Sequence, residues 1–413
     1  MATVKAPPYY WTQNAFTAFN AICIQQDMFS DEFSTALWQP IRYSQPAITG
    51  STDSNGITMY TSGDGPKVSL IDATGNVLHS WNAPFSKIWG GENFLKSFIP
   101  DERIFVRRAH AFPNGDLLAL YETPLNTPNG MGFAKLDRDS NVIWKFDGNC
   151  HHDFAVGDDG RIYSLTHQLK TSEHPASQFG PEVNIEDFLT VLSSDGEKLN
   201  EFSLLDAFFD SPFFHHYILQ REYSGDLLHA NTVNFVDHAF ATHYKEIDAG
   251  DVIVCFRNIN LVVAVDPELG KIVWGTAGPW NLPHDPDPLP NGNILIFDNC
   301  VCNGTQSYSR IVEFDPRERR VVWAFKGDGK ATLRSSIRSS QQRLANGNTI
   351  IGESNGGRIV EVDPTGKIVW QFVNPVRGGD AAQQLVPIMT GVARYQREDL
   401  PFIEEENLVA MSP

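Results

Sequence analysis

Two short runs set a histidine beside a carboxylate at the same distance ahead of a turn. His152-Asp153 precedes Gly160 by the same number of residues as His284-Asp285 precedes Gly292. Arg107 holds that offset before Gly115, and Ser339 holds it before Gly347, with Gln341 and Gln342 close behind. A neutral imidazole acts as a nucleophile or general base near neutral pH. A guanidinium offers a rigid fork of donors to sulfate, phosphate or carboxylate.

Two more stretches extend the set. His229 lies in Leu228-His229-Ala230-Asn231, and Arg257-Asn258 ends the apolar run 252–256. An arginine there is costly unless it meets an anion. Convergence of His152 (or its neighbour His151), His229, Arg257 and His284 on one axis would make a polar reaction site. Two other readings stay open. Three imidazoles suit zinc, iron or copper, so His152, His229 and His284 are also a candidate ligand set for a metal-dependent lyase or hydrolase. Arg257 beside a cation would then need an anionic substrate between them. A non-catalytic ligand-binding domain is the third, because fold does not fix function. His215, His216, His238 and His243 fall in insertions and read as structural or surface residues.

The elements that must position these residues repeat along the chain. Strands ending on Asp266, Asp315 and Asp363 each turn and re-enter a second strand bearing Trp274, Trp323 or Trp370. Weaker copies pass through Asp72 to Trp81, Asp137 to Trp144, and Asp195 to Phe202, which makes six hairpins. The aspartates read as turn formers and the tryptophans as core. A second element, Asn/Asp/Ala-Gly followed by an alternating strand, recurs at Gly115, Gly160, Gly250, Gly292 and Gly347. The copy missing from the sixth unit is expected from 392–402, pairing with 57–61 to close a ring.

Repeats of roughly 50 residues built from short strands fit propeller blades better than helical solenoids. The expected fold is therefore all-β: a six-bladed β-propeller over residues 56–413, with an irregular N-terminal segment, 1–55, packed on it. Insertions are expected at 167–186 and 205–223. In the second, Phe208, Phe209, Phe213, Phe214 and Tyr217 read as a satellite core or as an aromatic pocket wall.

The chain of 413 residues carries a formal charge of −18, which excludes a nucleic-acid partner and disfavours an anionic membrane surface. Local cations must overcome that field if the ligand is negative. No apolar stretch is long enough for a transmembrane helix, and 1–26 lacks the apolar core of a signal peptide, so a cytoplasmic location is expected. Five cysteines (Cys23, Cys150, Cys255, Cys300 and Cys302) form no dense framework and are read as reduced thiols. The expected state is a monomer or homodimer.

The stretches 151–154, 228–231, 256–258 and 284–299 together resemble the arylsulfate sulfotransferases, the bacterial enzymes that work without PAPS on a six-bladed propeller. The resemblance covers roughly residues 65–375. It implies that His284 is the nucleophile, taking a sulfuryl group from an aryl sulfate and passing it to a phenol through a transient sulfohistidine. It also implies that Arg257, His229, and His152 or His151 bind sulfuryl oxygens and move phenolic protons. Arg107, Asn231, Asn258 and Gln341 are the expected substrate contacts, and no cofactor is required. Those enzymes are exported, carry an N-terminal β domain and have a disulfide near the site. Here the N-terminal segment is shorter and only Cys300 and Cys302 lie nearby.

Overall fold

The computed structural model describes residues 37–43, 48–90, 100–123, 130–171, 183–215, 225–303, 306–379 and 384–405. Alternation along the sequence becomes six antiparallel sheets, each built on four strands and covered on both faces by its neighbours. Blade 1 contains Gly56–Ser62, Lys67–Ile71 and Val77–Asn82. Blades 2 to 6 begin with the innermost strands Phe105–Ala111, Cys150–Val156, Ala230–Phe235, His284–Pro288 and Ser340–Arg343. The protein is a six-bladed β-propeller.

The ring is closed by the end of the chain. Met389–Gln396 is the innermost strand of blade 1 and pairs with Gly56–Ser62 from the start of the propeller. The expected closure is therefore present, but its strand ends at Gln396; Arg397–Asp399 is a turn of 3-10 helix, and Phe402 is buried beside His79 and Trp81. Trp38–Pro40 pairs with Leu385–Pro387, and Ile48–Gly50 adds a fifth strand to the outer edge of blade 6.

The hairpin aspartates form turns, as their position suggests. Asp363 Oδ1 accepts from the Thr365 and Lys367 backbone N–H groups, and Asp72 Oδ1 does the same for Thr74 and Asn76. The recurring tryptophans do more than fill a core. Trp144 and Trp323 are only half-buried; each donates its indole N–H to a turn carbonyl of the next blade, Ser194 O at 3.2 Å and Pro364 O at 3.0 Å. Trp81 reaches Gly115 O, and Trp370 of blade 6 reaches Ala73 O of blade 1 at 2.9 Å, repeating the staple across the closure.

The described residues of the first insertion lengthen a hairpin, Ile162–Thr171 against Val183–Leu192. In the second, Phe208 is buried, and Phe209, Phe213 and Phe214 pack with it on the shared core of blades 3 and 4. These rings form a satellite core; Tyr217 and His216 lie outside the described residues. His243 sits at the surface, held by Pro290 O and Arg317.

Replacing Trp370 by Phe removes its bond to Ala73 and leaves a gap where part of the buried indole packed under Arg394. The loss should be at least about 1 kcal/mol, read as a lower midpoint of chemical denaturation. An unchanged midpoint would mean that the terminal strand alone holds the ring closed.

Candidate functional site

All six innermost strands run the same way along the axis, so residues near their N-terminal ends gather at one mouth. Regular pairing would bury every second side chain in the sheet. Instead, five of these strands break register at this level, at Val106/Arg108, His151/Phe154, Ala230/Val233, His284/Asp287 and Met389/Gly391. Such bulges re-aim side chains and mark sites. Backbone strain collects here too: His152, His229, Leu282, Asp285, Arg338 and Ser339 are non-glycine residues with φ between 49° and 77°. The histidines thus lie in or at the start of the innermost strands, not in loops ahead of the glycine turns.

His284 is buried, and its Nδ1 faces Asn299 Oδ1 at 2.8 Å and Leu282 O at 3.2 Å. Two acceptors fix the proton on Nδ1, which leaves the Nε2 lone pair for chemistry. Asn299 is itself anchored by donating to Ser335 O and Arg338 O. Burial, with Arg257, Arg107 and His229 within electrostatic reach, holds His284 well below the ordinary imidazole pKa. The ring is therefore neutral at pH 7.

His229 meets Asp226 Oδ2 through Nδ1 at 2.5 Å, and its ring lies 5.0 Å from that of His152. An imidazole backed by a carboxylate is oriented for proton transfer through its other nitrogen. His152 and His151 touch through their Nδ1 atoms at 2.7 Å, while His151 Nε2 faces Asp187 Oδ1 at 3.4 Å. Burial and the neighbouring Asp226 push Asp187 well above the carboxylate range, and burial holds both histidines well below theirs. With both histidines neutral the Asp187–His151 contact is not an ion pair, and at 3.4 Å His151 Nε2 and Asp187 Oδ1 make no hydrogen bond. The two Nδ1 atoms of His151 and His152 share a single proton.

Three arginines complete the mouth. Arg107 is fully buried, donates to Thr390 O and lies 3.7 Å from Glu122; burial brings its pKa down to about 10. Glu122 also accepts the His152 backbone N–H at 2.5 Å. Arg257 opens a short 3-10 turn whose backbone N–H groups bond to His229 O and Leu228 O; Asn258 accepts from its guanidinium and donates to Asp226 O. Asn258 therefore orients Arg257. Arg338 was not visible in the sequence as a site residue. It stands over Phe105, also within reach of Glu122, and its buried Nη1 has no acceptor in the protein, like the buried Nε of Arg107.

The remaining expected contacts are placed differently. Asn231 is buried, with its amide donating to Pro283 O and its carbonyl accepting from Thr232, so it ties blade 4 to blade 5. Gln341 lies deeper, past the histidine level, where it bonds to Asp285 and Asp287. It lines a cavity of about 370 Å³ with His110, Asn234, Asp287 and Tyr395 at the opposite mouth. A second cleft, of about 550 Å³, reaches Asn299 between Arg42, Tyr308 and Arg334. Cys255 is a buried thiol pointing at Pro283 O; Cys23 lies outside the described residues, as does the side chain of Cys302. Among the described residues, no three His, Cys, Asp or Glu side chains are set to hold one metal ion. His152, His229 and His284 are close without forming such a ligand set.

No curated protein matches the chain. Among solved structures, it is similar to a protein of unknown function from Bacteroides caccae, with 15% identity over 81% of this chain and 98% of that one, at a TM-score of 0.49. A streptogramin B lyase shares 11% identity over 87% and 97% of the two chains, with a TM-score of 0.43. A catalytically inactive virginiamycin B lyase from Staphylococcus aureus, solved with quinupristin, shares 10% over 83% and 91%, also at 0.43. The sequence pattern of the arylsulfotransferase (ASST) family matches residues 108–375. That span holds His151, His152, His229, Arg257, His284 and Arg338, and the chain belongs to the arylsulfotransferase family.

Proposed function

We propose that the protein transfers a sulfuryl group from an aryl sulfate to a phenol through a covalent intermediate on His284. The observation that carries this reading is the setting of one neutral imidazole. His284 has its Nδ1 proton committed to Asn299 and Leu282, and the cations around it include buried guanidinium donors with no protein acceptor. Such donors suit the three oxygens of a sulfuryl group.

In the first step His284 Nε2 attacks sulfur, and the sulfur–oxygen bond to the aryl group breaks. The departing aryl oxide takes a proton from His229, which Asp226 holds in place. Positive charge on the sulfated imidazole is met by the Asn299 and Leu282 oxygens at Nδ1–H. In the second step an acceptor phenol returns its proton to His229 as its oxygen attacks sulfur, and the sulfur–nitrogen bond breaks. Arg107, Arg257 and Arg338 hold the sulfuryl oxygens throughout, with His152 beside His229. Splitting the transfer in two lets one pocket serve donor and acceptor in turn.

Release of nitrophenolate from 4-nitrophenyl sulfate, with and without added phenol, tests the assignment. The parent protein should show phenol-dependent release that His284→Ala abolishes. No release by folded protein across several phenols would sink the reading and leave a ligand-binding propeller. Arg338→Met should lower kcat by about 10²-fold, with folding unchanged by circular dichroism. An unimpaired variant would remove Arg338 from the site.

The pH dependence of the first step follows from the depressed pKa of His284. With nitrophenolate as leaving group, no acid is needed, so the rate of the initial burst reports the nucleophile alone. That rate should hold as pH falls through the ordinary histidine range and decline only at lower pH. A decline centred near the ordinary imidazole value would show that the ring is not shielded as described.

A further inference from the structure

The residue that follows each site side chain in three blades faces the other way along the channel. Arg107 is followed by Arg108, His152 by Asp153 and His284 by Asp285. These three second residues meet. Arg108 Nη2 donates to Asp285 Oδ1 at 2.6 Å, and Arg108 Nε lies 3.2 Å from Asp153 Oδ1. One guanidinium from blade 2 thus joins carboxylates from blades 3 and 5.

The remaining atoms of the cluster are tied to two further blades. Asp285 Oδ2 accepts from Gln341 N of blade 6 at 3.0 Å, and Asp285 N donates to Thr232 Oγ1 of blade 4 at 2.9 Å. Asp153 Oδ2 accepts from Val233 N of blade 4 at 3.4 Å. Five blades are linked at one level across the axis. The cluster also divides the histidine mouth from the opposite cavity, whose walls include Arg108, Asp153 and Asp285.

We infer that Arg108, Asp153 and Asp285 form a cross-axis brace that positions His152 and His284 by holding the bulges in which those histidines sit. Each carboxylate is one peptide away from the imidazole it would control, and a shift of its Cα turns the neighbouring ring. Both bulges contain a residue at positive φ, His152 at 60° and Asp285 at 54°. A backbone in that region relaxes when its restraints are removed. The three are positioning residues, since none reaches the reacting atoms. Burial pushes Asp153 up to about 6 in spite of Arg108, so the brace is ionic near neutral pH.

The kinetic consequence rests on the sulfuryl-transfer reading; the structural one does not. Arg108→Met should lower kcat by at least about tenfold with KM within about threefold, because misplacing an attacking atom costs rate rather than binding. If that variant fails to fold, Asp153→Asn, which keeps the shape and removes one charge, is measured in its place. In protein labelled with ¹⁵N-histidine, the ring resonances of His152 and His284 should move in the variant while that of surface His243 stays fixed. A folded variant with unchanged kcat, or with unmoved His152 and His284 resonances, overturns the brace. Should the parent protein turn over no aryl sulfate, the transferase reading fails alone, and the ring resonances still decide whether the brace exists.

Discussion

The convergence of Arg107, His152 and His284 at one mouth depends on the break in pairing near the N-terminal ends of the innermost strands. A strand paired without interruption sends alternate side chains into the two faces of its blade, where neighbouring blades cover them. None would then converge on the axis in a cluster. By inserting residues opposite single partners, blades 2, 3, 4 and 5 turn Arg107, His152, Asn231 and Asp285 out of that alternation. The bulges need restraint, and the inter-blade bonds around Asp153, Asp285 and Thr232 supply it. The indole staples and the terminal strand fix the blades themselves.

The second consequence is electrostatic. A chain with a formal charge of −18 must concentrate cations locally to receive an anion. It does so with Arg107, Arg257 and Arg338, and Arg257 and Arg107 add to burial in keeping His284 neutral. Removing Arg257 or Arg107 would raise the pKa of His284. Glu122 limits the mutual repulsion of Arg107 and Arg338. Arg108 faces its two carboxylates across the channel, so its charge is spent on geometry rather than on substrate.

Much of this was legible because the repeat fixes positions. The aspartate turns, the hairpins and the equal offsets of Arg107, His152 and His284 all follow from counting along a regular unit. The complement at the next residue, arginine after Arg107 and aspartate after each histidine, was equally visible and points to the brace. Arg338 was missed because blade 6 has no bulge: Ser340–Arg343 pairs without a break, and the site side chain comes from the residue before Ser339. Gln341 shares the face of Ser339 but lies two residues further along the axis, about 7 Å, which carries it past the brace. Glu122 and Asp187 come from second and third strands and Asp226 from the segment leading into Ala230–Phe235, where side-chain direction does not follow from spacing along the repeat.

The central claim is that His284 carries the sulfuryl group between donor and acceptor. Mixing the protein with an aryl sulfate in the absence of any phenol, quenching, and mapping the protein by mass spectrometry tests it directly. The account predicts one added sulfuryl group on the peptide containing His284, removed when phenol is supplied before the quench and absent from His284→Ala. A protein that turns over aryl sulfate yet carries the group on another residue, or on none, would contradict it.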